Sequence, residues 1–407
     1  MSNEVPAGWS KVTLGEVTTV KARIGWRGLA ASEYTKDGPF LIAGKHIRSG
    51  IIDWAKCDHL STFRYDESPE IQLRAGDIIL SKDGSIGNPA LIDELPGPAT
   101  INGTMMMVRP KQSHLDPSYL YQVVRGADFN RMIREKVSGS SIPHIFQRDI
   151  VHFPVVLPSP DEQRRIAEVL RTVDEAIASE QQCRDQAKTV RASLLQEHFH
   201  MGEWAEGLPL PDGWQLPLLD SVAVRGSGHT PNKKRPEYWD GGIRWVSLQD
   251  TKRLDQVYIA ETAQQISALG IDNSSAVLHP DGVVVISRDA TVGRSAITVG
   301  QMAVSQHFIA YRCGPKVDNR YLYYWLQRMK PVFERIGAGS TIKTIGLPFF
   351  KGLRISLPPI DVQKEVAGVM LDVDLGILAS EKAIASLSDM KAALMSDLLS
   401  GRVRVPA

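Results

Sequence analysis

Hydrophobic and polar positions along the 407-residue chain fall into two textures, and the pair of textures occurs twice. Residues 1–155 carry short apolar runs between glycine and proline punctuation. Ile78-Ile79-Leu80, Thr104–Val108, Val283–Ile286 and Phe308–Tyr311 predict strands, and Tyr119–Val124 and Tyr321–Met329 predict short helices. After Pro158-Ser159-Pro160 the spacing turns helical. Apolar or small residues at Ile166, Val169, Val173, Ala176, Cys183, Ala187, Val190 and Leu194, with Glu180 as a polar break, step by three and four, the seam of a coiled coil. After Pro358-Pro359 the pattern returns at Val366, Val369, Val373, Ile377, Ile384, Leu387, Leu394 and Leu398, with one residue inserted near Ile377 that shifts its phase. Asp161 and Asp361 are expected as N-caps and Gly401 as a helix stop. Roughly 35 residues at 1.5 Å each make such a helix about 50 Å long.

The repetition reaches individual residues. Val5-Pro6-Ala7-Gly8-Trp9 returns as Leu210-Pro211-Asp212-Gly213-Trp214, and Ser81-Lys82-Asp83-Gly84-Ser85-Ile86-Gly87 as Ser287-Arg288-Asp289-Ala290-Thr291-Val292-Gly293. Tyr119-Leu120-Tyr121, Gly139-Ser140-Ser141-Ile142 and Leu157-Pro158 return in the same order, with displacements of 200 to 206 positions throughout. Copies this long are whole modules, not solenoid units. The expected fold is α+β, with two tandem pseudo-symmetric α/β domains over 1–158 and 201–357. Long helices over 159–200 and 358–407 follow them and pair as an antiparallel coiled coil, with one globular domain at each end.

Composition narrows the function. Hydrophobic residues at 43% and charged residues at 23% are those of a globular protein with a sizeable core. With 47 Lys+Arg against 46 Asp+Glu, the net charge of +1 excludes a uniformly basic nucleic-acid binder and a polybasic membrane-surface protein. Cys57, Cys183 and Cys313 lie far apart, which excludes a CxxC redox motif or cysteine zinc site and suits a reducing compartment. No signal-like N-terminus and no long apolar stretch is present, so a cytoplasmic location is expected.

Catalytic motifs do not assemble. Gly38–Lys45 is spaced one residue too long for a phosphate loop, and His46 stands where Ser or Thr must hold magnesium. Asn88-Pro89-Ala90-Leu91 lacks the second proline and the aromatic of an amino-methyltransferase loop. The ten histidines show no H-E-x-x-H spacing, and G-x-S-x-G is missing. Asp66-Glu67 and Asp93-Glu94 lie in polar loops, and Asp83 and Asp289 in turns where aspartate caps its own backbone. A chain without catalysis of its own and without a metal is expected. Charge is unevenly spread, at +1 over residues 1–155, +4 over 203–359 and −2 in each helical segment. Clusters at Lys45-His46-Arg48, Lys233-Lys234-Arg235 and Lys252-Arg253 make the globular copies the better polyanion surface.

The second copy reads Gly226-Ser227-Gly228-His229-Thr230-Pro231, Pro236-Glu237-Tyr238-Trp239 and Ile243-Arg244-Trp245-Val246-Ser247-Leu248. Ile266–Ile271, Ser274-Ser275-Ala276, Pro280–Val283, Thr291-Val292-Gly293, Leu357-Pro358-Pro359…Gln363 and Leu398–Val403 follow in order. With Leu157-Pro158-Ser159-Pro160-Asp161-Glu162-Gln163 in the first copy, nearly the whole chain resembles the specificity subunit of type I restriction-modification systems. It departs from that pattern at His229, Ser305-Gln306 and Val362, where the first copy has Glu162.

The resemblance implies two target-recognition domains, each reading half of a split double-stranded DNA site, with the paired helices as a ruler. It implies two adenine-N6 methyltransferase subunits docked mainly on the helical regions and bringing S-adenosylmethionine. Endonuclease/translocase subunits with ATP and Mg then join, and this chain binds no cofactor itself. Candidate DNA contacts in the first copy are Lys45, His46, Arg48, Lys82, Ser85, Asn102, Ser140, Ser141 and His144. In the second copy they are His229, Thr230, Lys233, Lys234, Gln249, Lys252, Arg288, Gln306, His307, Ser340, Thr341 and Lys343. The Gly-Ser-Ser and Gly-Ser-Thr loops serve either as contacts or as simple turns. Ile166, Val169, Val173, Ile177, Val366, Val369, Val373 and Ile377 are candidates for helix pairing or partner docking. A protein–protein adaptor and a self-sufficient DNA-acting enzyme are the competing readings.

Overall fold

Alternating apolar residues build central strands with two buried faces in each copy. The structure, a computed structural model, describes residues 5–23, 29–84, 86–111, 114–137, 144–200, 210–337 and 344–405. It divides into two units, Met1–Ser179 with Ala383–Ala407 and Glu180–Lys382, so each unit takes one globular copy and a part of both long helices.

Unit 1 runs β1 (Ser10–Thr13), α1 (Leu14–Val17), β2 (Thr18–Ala22), β3 (Tyr34–Ile42), β4 (Ile47–Arg48), β5 (Ile51–Ile52), β6 (Asp58–Leu60), α2 (Thr62–Asp66), β7 (Ile78–Ser81) and β8 (Gly87–Leu91). It continues through β9 (Ala99–Ile101), β10 (Met105–Pro110), α3 (Pro117–Arg125), α4 (Ala127–Val137), α5 (Gln147–Ile150) and β11 (Pro154–Leu157) into α6 (Pro160–His198). The main sheet has the order β2-β10-β7-β8, and a second has β6-β3-β9, in which β3 pairs antiparallel with β6 and parallel with β9. Ile78 and Leu80 of β7, with Met106 and Val108 of β10, pack on α3, α4 and the start of α6. Their neighbours Ile79, Met105 and Met107 pack on the opposite side with Ile42 and Ile101 of the second sheet.

Unit 2 repeats this arrangement. It runs α7 (Leu219–Val222), β12 (Ala223–Ser227), β13 (Trp239–Val246), β14 (Tyr258–Ile259), β15 (Gln264–Ile266), α8 (Ala268–Asp272), β16 (Leu278–His279) and β17 (Val284–Ser287). β18 (Ser295–Thr298), β19 (Met302–Val304), β20 (Phe308–Cys313), α9 (Asn319–Gly337), α10 (Leu347–Lys351) and α11 (Ile360–Ser400) complete it. The sheets are β12-β20-β17-β18-β14 and β15-β13-β19-β16, and β13 has one antiparallel and one parallel neighbour, as β3 has. Val284, Ile286, Ile309 and Tyr311 face the helices, whereas Val283, Val285, Phe308 and Ala310 face the second sheet. Where unit 1 breaks its helix at Gly126, unit 2 carries α9 straight on with Pro331 inside it.

The long helices, 39 and 41 residues, differ from expectation in three details. α6 begins at Pro160, and the Ser159 hydroxyl accepts from the Glu162 amide at 3.3 Å. Asp161 therefore lies in the first turn and not at the cap, as does Asp361 in α11. In α6 the proline at the first helical position moves the cap one residue back, and in α11 the helix already starts at Ile360. Second, the buried face of α6 runs through Ile166, Leu170, Val173, Ile177, Glu180, Arg184, Ala187, Arg191 and Leu194, so Leu170 points inward and Val169 outward, 36% exposed. Third, α11 has no phase shift. Val366, Met370, Val373, Ile377, Ser380, Ile384, Leu387, Lys391, Leu394 and Leu398 continue one unbroken stripe, and Val369 is 48% exposed.

Within each unit the two helices run antiparallel. In unit 1, Glu162 meets Arg404 beyond the end of α11, and Asp174 meets Lys391. In unit 2, Lys188 meets Glu381 and Arg191 meets Asp374. Gln163 locks the start of α6 by donating to His114 O and Pro158 O and accepting from the Asp116 amide. Gln363 does the same for α11 with Lys316 O, Pro358 O and the Asp318 amide.

Candidate nucleic-acid interface

Unit 2 gathers five of the sequence candidates into one polar patch. Arg288 and Asp289 follow β17 in a turn closed by left-handed Ala290 (φ 60°). The Arg288 amide donates to His307 O and its carbonyl accepts from Ile345, which fixes this turn against the start of β20. Asp289 Oδ2 lies 2.9 Å from His307 Nδ1. His307 Nε2 lies 3.4 Å from Gln306 Nε2, and Thr230 Oγ1 donates to Gln306 Oε1 at 2.5 Å. His229 joins through its amide to Val304 O and its carbonyl from Trp245 Nε1. Gly228 is required there, because a Cβ would stand 1.7 Å from Val304 O. Gln306 and His229 are exposed, and Thr230, Arg288 and His307 are half-buried.

The remaining unit 2 candidates stand apart from this patch. Lys233 and Lys234 are exposed on a turn held by Asn232, and Gln249 and Lys252 are exposed on the short helical turn Leu248–Arg253. That turn is pinned by buried Asp250, which accepts from Ser247 and Ala263. Ser340, Thr341 and Lys343 lie outside the described residues, as do Ser85, Ser140 and Ser141 of the first copy.

Unit 1 builds the corresponding patch from different parts. Asp83, the counterpart of Asp289, bonds His144 Nδ1, and His144 comes from the segment before α5, where unit 2 has Thr344. Lys82 is tied through its amide to Thr104 O and through its carbonyl to the Ile145 amide. Asn102 stands where unit 2 has Ser305, and Gly103 where it has Gln306; the Asn102 Oδ1 accepts from the Thr104 amide (3.0 Å) and hydroxyl (2.7 Å). Lys45 pairs with Asp58 at 2.8 Å, and Arg48 is exposed on the hairpin of β4 and β5. His46 differs from expectation, because it is only 2% exposed. Its Nδ1 accepts from the Ala43 amide at 3.1 Å, closing a turn, and burial pushes its pKa down. A neutral, inward-facing ring cannot reach a DNA base. Phe146 and Arg148 extend the patch instead. Exposed Phe146 lies 4.4 Å from the His144 ring and under Arg148 at 4.6 Å. An exposed phenylalanine next to an arginine in a short helical turn carries no sequence signal of its own.

Of the helix candidates, Ile166 and Ile377 are buried and Val173, Ile177, Val366 and Val373 half-buried, as pairing positions require. Val169 and Val369 face outward at corresponding places. Among the described residues, no group of three or more His, Cys, Asp or Glu side chains could hold a metal ion, and no helix is long and apolar enough to cross a membrane.

Comparison with known proteins bears on this geometry. A sequence profile of the type I restriction modification DNA specificity domain matches the chain twice, over residues 6–189 and 211–387. The MjaVIII specificity subunit of a type I restriction enzyme from Methanocaldococcus jannaschii is 21% identical, over 98% of this chain and 94% of the relative. Among solved structures, the type I restriction-modification S subunit from M. genitalium matches with a TM-score of 0.63 at 15% identity, over 98% of this chain and 97% of that one. A chain from a structure describing assembly and conformational transition of the type I R-M system matches with a TM-score of 0.59 at 18% identity, over 99% and 100% of the two chains.

Proposed function

The chain belongs to the type I restriction-modification DNA specificity family, and from that premise we propose that each of its units reads one half of a two-part DNA site. The observation that carries this is the duplication, because each match to the family contains an aspartate–histidine pair on the equivalent turn, Asp83 with His144 and Asp289 with His307. Two duplicated readers on one chain suit a site made of two half-sites. The chain supplies specificity and not catalysis, as the specificity subunits it resembles are named to do. Long helices of this length suit half-sites about one turn of B-DNA apart, about 34–36 Å, or somewhat more.

Lys82, His144 and Asn102 in unit 1, and His229, Thr230, Arg288, Gln306 and His307 in unit 2, are the proposed readers of base edges and nearby phosphates. Arg48, Lys45, Lys233, Lys234, Gln249 and Lys252 are proposed as outlying contacts. Two methyltransferase subunits dock on the long helices, as the resemblance implies. S-adenosylmethionine belongs to those subunits, and ATP and Mg to endonuclease subunits that join through them, in the cytoplasm. A net charge of +1 suits a reader whose partners supply much of the phosphate grip, so binding is weak alone and strong in the complex.

Co-expression with the methyltransferase subunits, followed by mapping of methylated adenines, tests this. A two-part consensus is expected. Replacing residues 203–359 by the matching region of a relative is expected to change one half and leave the other. If both halves stay as they were, the assignment of one half-site per unit fails.

A further inference from the structure

On the reading that unit 2 contacts DNA, we propose that Gln306 is a pre-set adenine reader, its carboxamide held in one orientation by His307 and Thr230. The orientation follows from the chain of bonds. His307 Nδ1 faces the Asp289 carboxylate at 2.9 Å and must donate to it, which in the neutral ring leaves a lone pair on Nε2. The Gln306 amide nitrogen, 3.4 Å from that lone pair, meets it as a donor. At the other end Thr230 Oγ1, 2.5 Å away, donates to Gln306 Oε1. A flipped amide would set its oxygen against the imidazole lone pair, so the His307 contact selects the arrangement and the Thr230 hydroxyl completes it as a donor.

A carboxamide carries two N–H donors and two acceptor sites. One of each is taken by His307 and Thr230. One donor and one acceptor remain on a side chain that is exposed. In the major groove only adenine pairs an amino donor with a ring-nitrogen acceptor on one base edge. Guanine offers two acceptors, cytosine a donor and thymine an acceptor beside a methyl group. Because the amide is already oriented, less side-chain freedom is lost on binding.

Unit 1 provides the contrast. Gly103 takes the corresponding place between β9 and β10 and has no side chain to read with, and the neighbouring Asn102 has both acceptor sites of its Oδ1 filled by Thr104. The Asn102 amide can only donate, so it cannot meet the donor and the acceptor of adenine together.

The test maps methylated sites in cells expressing the full complex with the wild-type chain, Gln306→Ala, Gln306→Glu or Thr230→Val. In the half-site read by unit 2, Gln306→Ala is expected to make one adenine position degenerate, with a loss of roughly 10- to 100-fold in preference. Gln306→Glu, an acceptor only, is expected to move that position towards cytosine. Thr230→Val should weaken the preference less and leave the rest of the consensus alone. An unchanged consensus in Gln306→Ala, or degeneracy at a base other than adenine, overturns the proposal. Should the variants assemble no complex, wild-type complex is given its own site with 7-deazaadenine at each adenine of that half in turn. Loss of binding at one position supports the proposal, and no loss at any position overturns it. Lack of any two-part consensus in the wild type is a different result, and it removes the DNA-specificity reading itself.

Discussion

Unit 1 and unit 2 hold the same carboxylate with different partners. Asp174 of α6 binds Lys391 Nζ at 2.5 Å and Arg125 at 2.6 Å. Asp374, at the corresponding place on α11, binds Arg191 at 2.5 Å and the Tyr324 hydroxyl at 3.0 Å. Burial opposes the charge of Asp174, but hydrogen bonds from Arg125 and Lys391 outweigh it and hold its carboxyl below the usual range. In each unit one partner comes from the opposite long helix and another from the globular copy. The duplication has kept the acceptor and exchanged the donors, whereas the glutamine locks at Gln163 and Gln363 are the same in both. A buried charge in a coiled-coil seam fixes direction and register, since a slip strands the ion. The retained carboxylate therefore serves to fix how each globular copy meets its helices.

The sharpest way to break this comparison is Asp174→Ala against Asp374→Ala. The first leaves Lys391, only 7% exposed, without its carboxylate, at an expected cost of about 3 kcal/mol to unit 1. The second leaves Arg191, whose side chain is 22% exposed, so water relieves part of the loss and about 2 kcal/mol is expected. Urea unfolding followed separately by tryptophans of each unit, with Trp9 retained for one and Trp325 for the other, measures both. A larger effect at Asp374 would show that burial of the cation is not what sets the cost.

Gln163→Ala and Gln363→Ala come next. Each removes three hydrogen bonds from a buried side chain, and each is expected to cost about 1–3 kcal/mol through the backbone groups left unpaired. The two losses should agree closely when measured as above. If one substitution proves silent, the helix starts are not equivalent, however alike their sequences are.

The duplication, the strands and the two long helices were legible because they rest on periodicity. The seam was legible only to within one residue. Val169 and Leu170 are both apolar, so the pattern alone could not choose between them, and the true stripe passes through Arg184, Arg191 and Lys391. Arg191 and Lys391 look like surface positions until their carboxylates are seen across the helix pair, whereas Arg184 pairs with its own neighbour Asp185. The polar patches were half legible. Asp83 and Asp289 recur visibly, but they read as turn caps, and their histidines come from different segments, before α5 and before β20. Thr230 and Gln306 lie 76 positions apart, and only the fold brings them together. His46 failed as a reader because a neighbouring amide, invisible to spacing, turns its ring inward.

The smallest expected difference between the units is a pH effect, and it isolates a clasp that Val362 does not make in unit 2. Arg404 binds Glu162 through two nitrogens, at 2.7 and 2.8 Å, Trp9 Nε1 donates to the same carboxylate at 3.0 Å, and the guanidinium lies over the Trp9 ring. Val362 takes the place of Glu162 in unit 2. The Arg404 bonds hold the Glu162 carboxyl below its ordinary value of 4.5. A carboxylate with a depressed folded pKa stabilises fully above its unfolded value, and that contribution is lost as pH falls through the folded one. Glu162→Gln should therefore weaken unit 1 at pH 7, and its deficit relative to the wild type should shrink below about pH 4.5. Unit 2, followed by Trp325, should show no such convergence. A deficit that stays constant between neutral and strongly acidic solution would mean that Arg404 acts on Glu162 through shape and stacking on Trp9, and not through its charge.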